Sequence, residues 1–157
     1  MAAKIVVCPR CGRKNRVPAA AKGSPRCGNC GAPLPWIVDA TDDDFAEIAE
    51  SAALPVVVDL WAAWCAPCRM VSPALEQVAT DMAGRLKLVK VDIDHAPKLS
   101  EQLAVHAVPT LLLMNHGQVI SRQAGAAPAP AIRTWVEAGL AARSAPPSPR
   151  TAPRPPR

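Results

Sequence analysis

Apolar positions along the chain fall into short runs that alternate with helical spacing. Trp36-Ile37-Val38 predicts a short strand, and Thr41-Asp42-Asp43-Asp44 predicts a helix N-cap with acids in the first turn. That helix should reach about Ser51, with Phe45, Ile48, Ala49 and Ala52 on one face. Val56-Val57-Val58-Asp59-Leu60-Trp61 is β-branched and almost continuously apolar, the pattern of a central strand covered on both sides. Next, Val71, Ala74, Leu75, Val78 and Met82 form a helical stripe, with Met70 and Met82 expected in the core. Pro73 lies inside this helix and removes one backbone donor. Leu86 to Asp92 predicts a further strand, Pro97 to Leu103 a short helix, and Leu111 to Met114 a strand. A turn at Asn115-His116-Gly117 leads into a strand from Gln118 to Ala124. The last helix should span Pro128 to Ala142, with Ile132, Trp135, Val136 and Leu140 facing the sheet. The alternation predicts an α/β fold.

The two ends of the 157-residue chain do not share this pattern. Residues 1–35 form a cysteine- and glycine-punctuated segment, and Ala32-Pro33-Leu34-Pro35 reads as a linker. From 143 to 157 Ala, Pro, Ser and Arg alternate without period, six of the fifteen residues being Pro, which predicts a disordered tail. The expected organisation is therefore 1–35, 36–142 and 143–157. Charge follows the same division. Residues 1–35 carry seven Lys/Arg and no acid, residues 36–142 seven against thirteen acids, and the tail four Arg. We read the basic ends as solvated charge and expect no nucleic-acid partner. Ile5-Val6-Val7 is too short for the apolar core of an export signal, and the run from Leu54 to Trp64, interrupted by Asp59, is too short for a membrane helix. A soluble, cytoplasmic protein is the expectation, with no membrane association.

In a reducing compartment six cysteines point to metal binding and redox catalysis rather than a disulfide framework. Cys8-Pro9-Arg10-Cys11 and Cys27-Gly28-Asn29-Cys30 are separated by fifteen residues, the spacing of two zinc knuckles. Four thiolates would close a tetrahedral site and leave no open position, so the expected Zn2+ is structural. Arg10, Arg13, Lys14, Arg16, Lys22 and Arg26 would offset part of its negative charge. Cys65-Ala66-Pro67-Cys68 lies instead between a strand and a helix. A thiol at the first turn of a helix faces unpaired N–H groups and the positive dipole end, which makes Cys65 the expected nucleophile. Cys68, one turn on, can resolve a mixed disulfide. Asp59 is expected to be a buried carboxylate with a raised pKa, either able to exchange protons near neutrality or hydrogen-bonded to backbone at a strand end. His95, His106 and His116 fall in loops without ligand spacing and are read as non-catalytic.

Trp64-Cys65-Ala66-Pro67-Cys68 resembles the Trp-Cys-Gly-Pro-Cys signature of the thioredoxin family, with Ala66 in place of Gly. Asp59, Pro73, Val108-Pro109-Thr110, Gly117 and Gly125 extend the likeness from about Trp36 to Ala142. With the four-cysteine segment in front, the chain resembles the zinc-containing bacterial thioredoxins of the thioredoxin-2 type. The resemblance implies a mixed five-stranded sheet flanked by helices, preceded by a zinc-ribbon-like module. It also implies disulfide reduction in oxidised protein substrates, and re-reduction by an NADPH-dependent thioredoxin reductase. By the same resemblance Asp59 would deprotonate Cys68, Lys90 would lie near that acid, and Pro109 would be cis. Trp64, Pro67, Val108 and Pro109 would form the substrate-binding surface. No bound organic cofactor is expected, and a monomer is. A competing reading is a zinc-ribbon binding module or holdase that uses the second domain as a scaffold.

Overall fold

The computed structural model describes residues 3–21 and 23–144. The Pro/Arg-rich tail expected from 143 lies, from 145 onward, outside the described residues. Among the described residues, seven strands and three α-helices occur in the order β1 (Ala3–Val7), β2 (Lys14–Pro18), β3 (Trp36–Asp39), β4 (Val56–Trp61), α1 (Ala66–Asp81), β5 (Lys87–Asp92), α2 (Pro97–Gln102), β6 (Thr110–Asn115), β7 (Gln118–Ala124) and α3 (Ala129–Ser144). The main sheet has the strand order β3-β5-β4-β6-β7. The β3–β5 and β4–β5 pairs are parallel, and the β4–β6 and β6–β7 pairs are antiparallel. This is the mixed five-stranded sheet expected, with β4 at its centre, where Val56 to Leu60 are all buried.

Alternation along the strands supplies two cores. On one face Val57, Leu88, Leu111 and Leu113 pack against Val71, Leu75 and Val78 of α1 and Ile132 and Val136 of α3. On the other, Val56, Val58, Leu60, Val89 and Leu112 pack against Phe45, Ile48 and Leu99. Cys8, Val17, Cys27 and Leu34 of the N-terminal segment belong to this second core, as does Trp36. The segment before the main sheet is thus packed beneath the face opposite α1 and α3.

Several elements differ from the reading of the sequence. The helix expected from Thr41 is a turn followed by a single π-helical stretch, Ala46–Glu50. Thr41 and Asp44 bond to each other, N–H to carboxylate at 2.7 Å, and so close that turn locally. Asp42 does not serve its own segment. Its carboxylate accepts the backbone N–H groups of Lys98 and Leu99 at 3.3 and 2.8 Å and caps α2. Met70 is not a core residue: it is 76% exposed, because the apolar stripe of α1 runs through Val71, Leu75 and Val78 and leaves position 70 outside. In the N-terminal segment, β1 and β2 form an antiparallel ribbon that the sequence reading did not anticipate.

Candidate active site and four-cysteine cluster

β4 ends at Trp61, and the loop after it turns directly into α1. Cys65 is the N-cap residue of that helix, in extended conformation. Its Sγ accepts the backbone N–H of Cys68 at 3.2 Å. Cys65 and Cys68 are joined as a disulfide with a Cα–Cα distance of 5.3 Å. Upon reduction that N–H and the helix N-terminus favour a thiolate at Cys65. Pro67 occupies the first turn, where its missing N–H costs nothing. Across from the dithiol, the Val108–Pro109 peptide is cis, and the Val108 carbonyl lies 3.6 Å from Cys65 Sγ. Trp64 is 68% exposed, and its indole N–H donates to Asp94 at 3.0 Å. Trp64, Ile93, Val105, His106, Ala107 and Val108 line a groove of about 90 Å³ beside the disulfide. The sequence reading did not bring His106, one of three loop histidines, to this groove, because nothing in its spacing to Trp64 shows the approach.

Behind the dithiol, Asp59 and Cys68 line one cavity of about 130 Å³, together with Trp61, Arg69, Ser72 and Lys90. Asp59 is 1% exposed, and neither carboxylate oxygen has a hydrogen-bond partner among the described residues. Burial raises its pKa from 3.8 to about 6; Lys90 pulls it down in part and Glu76 pushes it up. The Lys90 ammonium donates to Ser72 Oγ at 2.6 Å and lies 3.6 Å from Glu76. Lys90 thus lies beside the Asp59 cavity, held against α1. Ser72 and Glu76 were missed in the sequence. Their signal was the four-residue spacing Cys68, Ser72, Glu76, which places all three on one side of α1.

The N-terminal segment contains two knuckles of the same construction. Gly12 N–H donates to the Cys8 carbonyl and Gly31 N–H to the Cys27 carbonyl, at 2.9 and 3.0 Å. Gly12 and Gly31 have φ of +78° and +74°, which glycine adopts without a Cβ penalty. The Sγ atoms of Cys8, Cys11, Cys27 and Cys30 all lie within 4.8 Å of one another. Cys8–Cys30 and Cys11–Cys27 are 3.7 and 3.5 Å apart. Four sulfurs about 2.3 Å from a tetrahedral zinc would stand roughly 3.8 Å apart, so the quartet fits that ion. Donors point at the sulfurs as well. Cys27 Sγ receives Asn29 N–H at 3.4 Å and the Asn15 amide at 3.5 Å, and the Asn29 amide reaches Cys11 Sγ at 3.6 Å. Backbone bonding from Cys30 and then Asn29 draws the Cys27 thiol down to about 6. Against a backbone bond at Ala32, burial and the neighbouring Cys11, Cys8 and Cys27 thiols push Cys30 the other way, up to about 11. The quartet thus shares its protons unequally, and a bound metal would have to displace that of Cys30.

The family model described as Thioredoxin matches residues 36–138. Thioredoxin C-3 of Corynebacterium nephridii is 35% identical over 139 residues, covering 87% of this chain and 95% of that protein. That alignment is longer than the segment matched by the family model. The thioredoxin of Mycobacterium tuberculosis is 43% identical over 89 residues, 57% of this chain and 77% of its own length. A thioredoxin of Haemophilus influenzae is 38% identical over 92 residues, 59% and 86% of the two chains.

Proposed function

Because the chain belongs to the thioredoxin family and is a protein-disulfide reductase, we propose that it works as a zinc-containing thioredoxin of the thioredoxin-2 type. Its cycle runs between oxidised protein substrates and an NADPH-dependent thioredoxin reductase. The observation that carries this reading is Cys65 at the N-cap of α1, beside the Val108 carbonyl and backed by the Asp59 cavity. The proposed organisation is a metal module at 1–35, a redox domain at 36–142 and a tail at 143–157. A cytoplasmic monomer goes with this reading; among the described residues no helix is long and apolar enough to cross a membrane.

Cys65 thiolate attacks one sulfur of the substrate disulfide. A Cys65–substrate bond forms, the substrate S–S bond breaks, and the departing sulfur takes a proton. Val108 offers backbone to an extended substrate segment, while Trp64, Pro67 and cis Pro109 shape the surface that receives it. Asp59 then accepts the Cys68 proton through the shared cavity, which is large enough for water. Cys68 thiolate attacks Cys65 Sγ, and the substrate leaves as a dithiol, two electrons having passed from the protein. Lys90 keeps the Asp59 pKa from climbing further. Cys8, Cys11, Cys27 and Cys30 would hold Zn2+, whose contribution is to the folding of the module and not to the exchange.

Replacing one cysteine at a time tests the assignment. Cys68→Ser should accumulate a mixed disulfide with a disulfide-containing substrate, seen as a reducible mass adduct on Cys65. Cys65→Ser should form none and lose activity. Full disulfide-reducing activity after replacement of both cysteines would overturn the assignment, because the two electrons would then come from another group. Partner binding retained without any such activity would favour the binding-module reading instead.

A further inference from the structure

Lys87 opens β5, in a position where the alternation of Leu86-Lys87-Leu88 leaves a lysine easily read as solvent-facing. It is 1% exposed. Its ammonium donates to the carbonyls of Ala19 and Ile48, both at 2.6 Å, and sits 3.9 Å from the centroid of the Trp36 ring. No carboxylate forms an ion pair with it among the described residues, and burial lowers its pKa to about 8. An ammonium buried in this way is costly unless its donors are used. Here two donors hold backbone oxygens, and the third side of the charge faces an aromatic ring.

The two carbonyls come from different parts of the molecule. Ile48 belongs to the π-helical turn of the redox domain, where Ala52 N–H donates to Ala49 rather than to the Ile48 carbonyl. Ala19 directly follows β2 and lies between the two cysteine knuckles. The neighbouring Pro18 carbonyl accepts the Trp36 indole N–H at 3.1 Å. Two successive carbonyls of the cysteine module are therefore held by side chains of β5 and β3. β5 also carries Lys90 on its opposite face, against the catalytic cavity.

We propose that Lys87 is the latch through which metal occupancy of the four-cysteine module is coupled to the stability of the redox domain, with Trp36 as its second contact. The inference rests on the reading that the quartet takes zinc. Metal binding orders the segment that carries the Pro18 and Ala19 carbonyls, and the latch holds them only in that order. By linkage, the factor by which bound metal strengthens the latch is the factor by which the latch strengthens metal retention. Lys87 acts by positioning and touches neither metal nor substrate.

The test uses the full chain, Zn2+ and a chromogenic zinc chelator, with Lys87→Met as the variant. Methionine keeps an apolar stem and removes every donor, leaving both carbonyls unpaired. The chelator concentration that strips half the zinc should fall by about tenfold, the loss expected for hydrogen bonds to a charged group. Stripping zinc should lower the melting temperature of the wild-type redox domain, and that zinc-dependent shift should shrink in the variant. A variant that melts earlier by the same amount with and without zinc, at an unchanged chelator half-point, overturns the proposal, because Lys87 then only stabilises its own domain. Should Lys87→Met not fold, Trp36→Phe removes the indole N–H and keeps the aromatic ring. The half-point should then fall several-fold, and an unchanged one overturns the latch. A wild-type chain that takes up no zinc overturns the metal reading itself, and the latch with it.

Discussion

At the scale of single residues, Asp59 concentrates the conflict between stability and chemistry. Its carboxyl lies in the core without a hydrogen-bond partner among the described residues, so folding favours its neutral form and raises its pKa from 3.8 to about 6. The penalty is absent while the group is protonated in both states, grows as pH rises through this window, and is complete above it. Asp59→Ala should therefore stabilise the oxidised protein at about pH 8, relative to its effect at about pH 3.5, by roughly 3 kcal/mol. Chemical denaturation at the two pH values measures it. The same variant should slow release of the mixed disulfide near neutrality, since in the proposed cycle Asp59 is the proton acceptor for Cys68. The carboxylate was legible in the sequence as a single acid in an apolar strand. Lys87 was not, because lysine in a strand is nearly always exposed and its acceptors lie 68 and 39 residues away in the chain.

At the scale of elements, strand and helix periodicity located the main sheet and its flanking helices, and turn chemistry explains the β6–β7 connection. His116 and Gly117 have φ of +50° and +78°, the two positive values that a two-residue type I′ hairpin needs. A Cβ at position 117 would also come within 3.1 Å of the Glu50 carbonyl oxygen. Gly117→Ala should thus destabilise the fold by about 1–2 kcal/mol, with the redox site unaltered. Equilibrium unfolding paired with a disulfide-reduction assay separates the two effects. What periodicity did not reveal was set by contacts distant in sequence. The helix begun by Thr41 stops short and becomes a π-helical turn whose Ile48 carbonyl serves Lys87, while Asp42 caps α2 across the fold. The β1–β2 ribbon is short and its exposed face carries Ile5 and Val7, so it lacks the clean alternation that marks a strand.

At the scale of the whole molecule, the cysteines divide between two sites on different foundations. Cys65 and Cys68 sit where a central strand meets a helix N-terminus; Cys8, Cys11, Cys27 and Cys30 sit on paired glycine-relaxed knuckles. Both groupings could be read from spacing and local context together, since the same two-residue separation means different things after a strand and beside a glycine. The packing of the knuckles into the same core as Trp36 and Ile48 could not, because it depends on which sheet face the module covers. The central claim is that the Cys65–Cys68 pair is a reducing dithiol, and Ala66 is the residue most able to alter its poise. The most direct test is the equilibrium reduction potential of that pair in the zinc-loaded chain, titrated against defined thiol–disulfide buffers. For a reducing dithiol the expected value is near the roughly −270 mV of thioredoxins. A value above about −200 mV, in the range of disulfide donors and isomerases, would contradict it.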